Sequence, residues 1–553
     1  MRGIMRIRLG GGRFRATATA AGASGAAPNK SELGKQPFMA QFGQGSVEPP
    51  SNSAPAMLDP RHSERLLKKV SMLMHEAVHM RNSSLPNATL RQLREDYLML
   101  NMDYRQRALI VLGTQFGVDR KRLKGLMQHY MTLNSVGNTE ETIEDKTSDS
   151  GIDAAHYRTE RDLRAALVPL SSRLFEQMNG QVGGLKFLVD LRADLKTALL
   201  KNNLASLRAL DSDLQGLFAT WLSPACLELH RITWNDAACL LEKIVTYEAV
   251  HPITNLYDLK RRLGTGRRCF GYFHPAMPGE PLVFIEVALT KGIEGSAQKV
   301  LFGEPPCDEA VADCALFYSI TSTQPGLKGI ELGNFLIKRV VHLLRQEMPE
   351  VQNFVTLSPI PGFMHWLLAK LATQCHVQKS GDKSANSKLS EKLLFPEEEV
   401  KLEACRDEGN SKGPVEFMYD VLSSAEHEWA SSEKLLEALR PPLLRLCARY
   451  ILQEKKRGAA LDPVTNFHVR NGAVCFILTP SYRCCSSKSV EQLNWMGDTS
   501  SKGLAASAGL MVNYRYRLED IEANNQAYLN RRVVAASPAM LAYLQQSRSD
   551  TQQ

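Results

Sequence analysis

Hydrophobic residues recur every three to four positions through the first part of the chain, from residue 58 to residue 222. Two such sets are Leu90, Leu93, Tyr97 and Leu100, and Leu163, Leu167, Leu170 and Leu174. This spacing is typical of α-helices with one buried face. Asn87 and Thr89 are candidate caps for the first helix, and the polar segment 138–153 predicts a solvated loop. The sequence therefore predicts a helical bundle over residues 58–222 that packs against another domain or another subunit.

The pattern changes after residue 222, where short, uninterrupted apolar runs predict buried β-strands. These runs are residues 282–289, 315–320 and 351–357. Between the second and third runs, a predicted helix carries Phe335, Leu336, Val340 and Leu343 on one face. A strand–helix–strand unit predicts a second domain of the α/β or α+β class, over residues 223–546. The polar stretches 380–414 and 480–490 are predicted to be loops or insertions.

The positive charge of the chain is concentrated in its leader. The 553 residues carry a formal charge of +8, and residues 1–31 hold six Lys or Arg and no acid. Without those six charges the remainder is nearly balanced at +2, which argues against a nucleic-acid-binding face. An acid-poor, Arg-rich segment without an apolar core is typical of an organelle transit peptide. Residues 1–57 are therefore predicted to be a disordered leader that directs the chain to the mitochondrial matrix, with the cytosol as the alternative.

Composition excludes several further classes of protein. All eleven cysteines follow residue 225, their number is odd and no pair has Cys-x-x-Cys spacing, so neither a zinc site nor a disulfide framework is expected. No apolar run approaches 18 residues, which predicts no membrane span. The chain ends Asp-Thr-Gln-Gln, so a Ser-Lys-Leu peroxisomal signal is not expected.

A glycine-rich segment between the second strand and the helix is the first candidate for chemistry. We call residues 324–334 the glycine loop; it contains Gly326, Gly329 and Gly333. Glycines that lead into a helix N-terminus allow backbone N–H groups to approach an anion. The spacing is not that of the dinucleotide or NTPase motifs, but it suits the pyrophosphate of an acyl-CoA. A tight turn without a ligand explains it equally well.

Ser358 and His468 are the other candidates. Ser358 lies between the third strand and a rigid Pro-x-Pro turn, which would hold the residue in a fixed turn with its hydroxyl exposed. The alternative is a turn serine that bonds its own backbone. His468 is close to Asn471 and Gly472, which are typical of a β-hairpin turn. A structural histidine is the alternative there. The residues alone support an acyl-CoA or other anion binder that could be an enzyme.

Eight ordered segments resemble malonyl-CoA decarboxylase. They are FLVDLRADL (187–195), EAVHPI (248–253), DLKRR (258–262), GEPLV (279–283), GIELG (329–333), LSPIPGF (357–363), PVTNFH (463–468) and VNYRY (512–516). The resemblance implies a helical N-terminal domain used in homo-oligomer contacts, dimeric or tetrameric, and a catalytic domain with the GNAT-type acyltransferase fold. It also implies that malonyl-CoA is converted to acetyl-CoA and carbon dioxide without a metal or other cofactor.

The resemblance also assigns the site. Ser358 and His468 correspond to the catalytic pair of the family, with His468 acting near neutral pH as a hydrogen-bond or proton donor. The implied substrate-binding residues are Lys328, Gly329, Ile330, Glu331, Leu332, Gly333, Asn334 and Tyr516. The chain departs from the family over residues 475–491, a lengthened segment after His468. This segment favours one alternative, an inactive paralogue that serves as a scaffold. A second alternative, a GNAT-type N-acyltransferase that uses acetyl-CoA, also stays open.

Overall fold

A computed structural model describes nine stretches of the chain. They are residues 60–79, 88–136, 151–303, 306–380, 393–406, 412–473, 490–517, 519–534 and 536–545. The predictions for the leader (1–57), the cap Asn87, most of the loop 138–153 and most of the segment 475–491 lie outside these stretches.

The first part of the described chain, up to residue 221, is helical. Its helices are α1 (Pro60–His79), α2 (Ala88–Met99), α3 (Met102–Gln115), α4 (Arg120–Val136), α5 (Gly151–Leu167), α6 (Leu170–Asn179), α7 (Gly184–Lys201) and α8 (Ala205–Trp221). The face predicted for the first helix is confirmed, because Leu90, Leu93, Tyr97 and Leu100 are buried. The bundle predicted from periodicity is therefore present.

Two details of that prediction are wrong. The second hydrophobic set is not one helical face, since α5 ends at Leu167, which is exposed, and α6 begins at Leu170. Pro169 separates them because it has no N–H and disfavours helical geometry in the residue before it. Thr89 is not a cap but lies inside α2, and its hydroxyl donates to the Glu76 carboxylate across 3.1 Å.

The second part of the chain combines a mixed sheet with helices. Its strands are β1 (Glu228–Ile232), β2 (Arg267–Phe273), β3 (Val283–Thr290), β4 (Cys314–Ser322), β5 (Asn353–Thr356), β6 (Ser358–Pro359), β7 (Lys455–Lys456), β8 (Ala459–Ala460), β9 (Val490–Asn494) and β10 (Met511–Tyr516). The helices are α9 (Ala238–Tyr247), α10 (Leu256–Arg262), α11 (Ala297–Phe302), α12 (Leu332–Glu347), α13 (Phe363–Ser380), α14 (Pro396–Glu403), α15 (Pro414–Ser423), α16 (Glu433–Leu452), α17 (Pro463–Arg470), α18 (Ser501–Ser507), α19 (Ile521–Arg531) and α20 (Pro538–Gln545). The three predicted strands correspond to β3, β4 and β5.

The pairing of the central strands opens a cleft. The sheet order is β1-β2-β3-β4-β5-β10-β6, with β9 also on β10; β4 and β5 are parallel, and the other pairs are antiparallel. The parallel pairing ends at Phe317 and Thr356. Beyond that point β4 continues to Ser322, whereas the chain after β5 turns at Leu357 into β6. Ligand sites are common outside the carboxyl ends of such parallel strands.

One region predicted to be a loop contains a helix. The stretch 380–414 was expected to be irregular, but residues 396–403 form α14. Pro396 occupies the first turn, where a missing N–H costs nothing, and three glutamates follow it at the positive end of the helix dipole. One of them, Glu398, is buried and forms an ion pair with Arg445 at 2.5 Å. These helix-start features are present in the sequence.

The two parts of the chain share one hydrophobic core. Leu188 and Leu195 of α7 belong to the same cluster of buried side chains as Leu327, Leu336 and residues of the sheet. The helical N-terminal region therefore packs directly on the α/β region. None of the described helices is long and apolar enough to cross a membrane.

Candidate active site

His468 lies on a helix, so the predicted hairpin is wrong. Asp462 caps α17 by accepting a hydrogen bond from the Thr465 amide at 2.7 Å, and a proline follows the cap in the first turn. Gly472, at φ +75°, stands just past the C-terminal end of the helix. An Asn-Gly pair suits this position as well as it suits a hairpin turn, because both need a backbone with positive φ.

Ser358 lies at the start of β6, the short strand that pairs with β10 after the chain leaves β5. Strand β10 pairs with β5 through Arg515 and Tyr516, and with β6 through Met511 and Val512. Ser358 is paired with Val512 and is 5% exposed. The serine is therefore held by the sheet on one side and by the following proline on the other, as the sequence predicted. The predicted exposure of its hydroxyl is wrong, because pairing with β10 buries the residue and the hydroxyl donates to Thr356.

A chain of hydrogen bonds connects Ser358 to Tyr516 through His468. The hydroxyl of Ser358 donates to Oγ1 of Thr356 at 2.8 Å, and its oxygen is 3.1 Å from Nε2 of His468. On the other side of the ring, Nδ1 is 2.8 Å from the hydroxyl of Tyr516. With the serine proton directed to Thr356, Nε2 donates to Ser358 and Nδ1 accepts from Tyr516. The tyrosine thereby fixes the tautomer that carries its proton on Nε2.

The surroundings keep the His468 ring uncharged. Burial lowers the pKa of His468 to about 3, and the residue is 2% exposed. It stacks on Tyr514 with ring centroids 4.4 Å apart, and Tyr514 is fixed by Thr465 through a 2.7 Å hydrogen bond. Burial likewise raises the pKa of Tyr516. His468 is therefore a neutral hydrogen-bond donor, not the cationic acid that a histidine near neutral pH can provide.

The serine and the histidine share a cleft of about 670 Å³ with the glycine loop. Each of the predicted loop residues lines it: Lys328, Gly329, Ile330, Glu331, Leu332, Gly333 and Asn334. Oδ1 of Asn334 is buried there without a hydrogen-bond partner among the described residues. Such an atom is free to bond a ligand. Ser358 and His468 line the same space.

Tyr516 does not line the cleft, and Glu331, which does, also forms a contact that the sequence did not indicate. Tyr516 was expected to bind substrate, but it is buried and lies behind His468 instead of lining the cleft. Glu331 precedes the first residue of α12 without capping it through its side chain. Its carboxylate forms an ion pair with Arg470 at 2.6 Å, and both side chains are about half exposed. Glu331 therefore joins the glycine loop to the end of α17.

Several residues that complete the site were missed. Thr356 holds the serine hydroxyl, Tyr514 stacks on the histidine, and Phe467, Arg470 and Asn471 line the cleft beside it. Thr356 could have been found, since it lies two positions before Ser358 at the same strand end. Phe467, Arg470 and Asn471 required the knowledge that residues 463–470 are a helix, and Tyr514 also required the register of β10. The described residues contain no group of three or more His, Cys, Asp or Glu side chains placed to hold a metal.

These features define the class of protein. The site combines a buried, neutral serine–histidine–tyrosine chain with a glycine loop, and it lies at the carboxyl ends of two diverging parallel strands. This arrangement is typical of an α/β enzyme that acts on a small molecule. The family follows from the sequence comparisons. Residues 225–553 match the family model of the malonyl-CoA decarboxylase C-terminal domain, and residues 116–222 match that of the N-terminal domain. The chain belongs to the malonyl-CoA decarboxylase family.

Individual relatives agree with that assignment. The chain is 41% identical over 405 residues to a mitochondrial malonyl-CoA decarboxylase of Rattus norvegicus, and the match covers 72% of this chain and 76% of the relative. It is 39% identical over 402 residues to the Anser anser anser protein of the same name, with coverage of 72% and 74%.

Solved structures agree as well. A malonyl-CoA decarboxylase from Rhodopseudomonas palustris superposes with a TM-score of 0.67 at 32% identity, over 86% of this chain and 98% of the other. The Agrobacterium vitis protein gives the same TM-score and identity, with coverage of 86% and 99%. The helical and α/β regions described above therefore have counterparts in this family.

Proposed function

We propose that the chain decarboxylates malonyl-CoA to acetyl-CoA and carbon dioxide, and so controls malonyl-CoA levels in fatty-acid metabolism. The observation that carries this proposal is that the Ser358–His468 pair and the whole of segment 328–334 line one cleft. Membership in the malonyl-CoA decarboxylase family supports it.

The reaction needs hydrogen-bond donors at one oxygen. The bond between the carboxylate carbon and the methylene carbon breaks, and its electron pair moves towards the thioester carbonyl, which becomes an enolate oxygen. Carbon dioxide leaves, and a proton adds to the methylene carbon to give acetyl-CoA. Donors that are already in place where the negative charge develops lower the barrier to this step.

Ser358 and His468 provide those donors in the proposed site. The hydroxyl of Ser358 rotates from Thr356 to the thioester, while Nε2–H of His468 holds the serine oxygen or bonds the enolate oxygen directly. Tyr516 keeps the ring proton on Nε2. Because the ring is neutral, it stabilises charge that develops in the transition state without attracting the malonyl carboxylate in the ground state.

The glycine loop would bind the coenzyme A portion. It leads into the N-terminus of α12, where free N–H groups and the helix dipole favour an anion. Lys328 and Arg470 add positive side chains to the cleft. Glu331, paired with Arg470, would hold the loop against α17. Neither a metal nor another cofactor is required in this proposal, because the thioester carbonyl accepts the electron pair.

The finer architecture belongs to the same proposal. The region over residues 223–546 would have the GNAT-type acyltransferase fold, which the antiparallel run from β1 to β4 and the splayed parallel pair β4–β5 support. Residues 58–222 would be the oligomerisation domain of a homodimer or homotetramer. The leader would direct the chain to the mitochondrial matrix, in keeping with the names of the curated relatives.

Carbon dioxide release from malonyl-CoA by the purified full-length chain tests the proposal. Wild-type protein should form acetyl-CoA in equal amount, and Ser358→Ala and His468→Gln should each reduce turnover by about 10²–10³-fold. Ser507→Ala is the matched control, since this serine is equally buried and donates to the Gly503 and Leu510 carbonyls, outside the cleft. Acetyl transfer to an amine without carbon dioxide release would contradict the proposal and favour an N-acyltransferase. Binding of the thioester without either reaction would favour a scaffold.

A further inference from the structure

A buried arginine of the helical region contacts the backbone of the glycine loop. Arg192, on α7, has a fully buried side chain. Its Nη1 donates to the carbonyl oxygen of Gly326 at 2.6 Å and to that of Lys328 at 3.1 Å. These bonds join residues more than 130 positions apart in the chain. The helical region therefore contacts the loop that lines the cleft directly.

The guanidinium group is itself held in place by α8. Its Nε donates to the Asp211 carboxylate at 2.8 Å, and Nη2 lies 3.4 Å from Oε1 of Gln215. The amide of Gln215 donates in turn to the carbonyl oxygen of Gly329 at 3.2 Å. Three carbonyl groups of the loop, at 326, 328 and 329, thus bind side chains of the helical region.

The packing leaves little freedom at this contact. A Cβ atom added to Gly326 would lie 1.8 Å from the Val189 carbonyl oxygen and 3.2 Å from the Ala193 nitrogen, so the loop backbone rests on the α7 backbone. Gly329 has φ +91° next to Gln215. A fork of charged donors that meets backbone acceptors in a buried site is a strong and directional contact.

We infer that Arg192 is a positioning residue for coenzyme A binding: it fixes the backbone of residues 326–329 so that the glycine loop presents a preformed surface to the thioester. This inference rests on the proposed function, since it takes the cleft as the malonyl-CoA site. Without the fork, the loop would have to be ordered when the ligand binds, and the conformational entropy lost in that step weakens affinity. Because Arg192 does not reach the reacting atoms, its loss should affect KM more than kcat.

The experiment compares Arg192→Lys with a matched buried arginine. Lysine keeps the charge beside Asp211 but cannot reproduce the planar fork. Arg445→Lys is the control, because Arg445 is also buried, pairs with Glu398 and donates to the Leu393 carbonyl oxygen, but does not line the cleft. Arg192→Lys should raise KM for malonyl-CoA and the dissociation constant of free coenzyme A about tenfold, which corresponds to about 1.4 kcal/mol. We expect kcat to change by less than about threefold and Arg445→Lys to leave both constants unchanged.

Hydrogen exchange provides a readout that a general loss of stability would not reproduce. Amides of residues 326–334 should exchange faster in Arg192→Lys than in the wild type, and coenzyme A should restore their protection. Should the lysine variant fail to fold, Gln215→Leu tests the same contact at Gly329 from a partly exposed position. Unchanged coenzyme A affinity in a folded variant, or an equal loss in Arg445→Lys, would overturn the inference. Absence of carbon dioxide release from the wild type would instead contradict the proposed function, and coenzyme A binding would still test Arg192.

Discussion

The ring of His468 should stay uncharged throughout the pH range in which the folded protein is stable. Burial lowers its pKa to about 3, compared with about 6.5 for an unperturbed histidine. At pH 6, a pKa near 3 leaves about one ring in a thousand protonated, whereas the unperturbed value would leave about three in four. The difference of about 3.5 pH units corresponds to about 5 kcal/mol in favour of the neutral ring.

This difference between the folded and unfolded pKa makes the free energy of unfolding depend on pH, and it fixes the direction of that dependence. Because the folded pKa lies below the unfolded one, the unfolded chain takes up the proton first as the pH falls. The stability that the neutral ring provides is therefore fully present above about pH 6.5 and is lost as the pH falls towards about 3. Between pH 7.5 and pH 5.0 the expected loss is about 2 kcal/mol. The amide of His468→Gln does not ionise, so the variant should lack this loss.

Two measurements test this prediction. In protein labelled with ¹³C-histidine, the signal that His468→Gln removes should keep its chemical shift from pH 8 to pH 5. Chemical denaturation at pH 7.5 and pH 5.0 should show that the wild type loses about 2 kcal/mol more than the variant. A His468 signal that titrates with a midpoint near pH 6–7, or equal losses in both proteins, would refute the assignment of a neutral, desolvated ring.

Three further predictions follow from contacts around the site and the sheet. Tyr516→Phe leaves Nδ1 of His468 without its hydrogen-bond partner and should lower the free energy of unfolding by about 1–3 kcal/mol. It should also reduce kcat with little change in KM, and equal changes in both constants would contradict the tautomer-fixing role. Arg470→Gln removes a half-exposed ion pair with Glu331 and should lower the free energy of unfolding by at most about 1 kcal/mol. KM measured at low salt should rise and become less dependent on salt, because Lys328 remains in the cleft. Burial and the neighbouring Glu248 raise the pKa of Glu286, although its carboxylate pairs with Arg262 at 3.1 Å. Because the folded protein then holds this proton more tightly than the unfolded chain, wild-type stability should fall as the pH rises above 4.5, and denaturation of Glu286→Gln should show a smaller fall.

The elements that the sequence predicted correctly are those whose signals are local. The face containing Leu90 and Tyr97, and the apolar runs that became β3, β4 and β5, need only the periodicity of helices and strands. The setting of Ser358 was also predictable, because a strand followed by Pro-x-Pro restricts the backbone whatever lies around it. Segment 328–334 was placed by its resemblance to a family, and the structure brings all of it to one cleft.

The errors arise where one local signal fits two structures. Asn471 and Gly472 suit a hairpin turn and a helix end alike, and the choice between them depends on Asp462, which caps α17 nine residues earlier. Tyr516 was placed in the site, but whether a strand residue faces the cleft or the back of His468 depends on the register of β10. The contact of Arg192 with the Gly326 carbonyl has no sequence signal, since it depends on how α7 packs on the sheet.

The distribution of charge along the cleft fits the order of events in a decarboxylation. The buried end holds Ser358 and the neutral His468, and the positive side chains of Lys328 and Arg470 lie in more exposed positions. A cation next to the reacting carboxylate would bind the substrate more tightly than the transition state, because the carboxylate loses its charge as carbon dioxide forms. In the proposed binding mode, cations near the coenzyme A phosphates would stabilise both states equally and so would contribute to binding alone. In the proposed site, the neutral donors at the reacting end therefore serve catalysis, and the cations at the exposed end serve substrate affinity. Variants of the donors should change kcat, and variants of the cations should change KM.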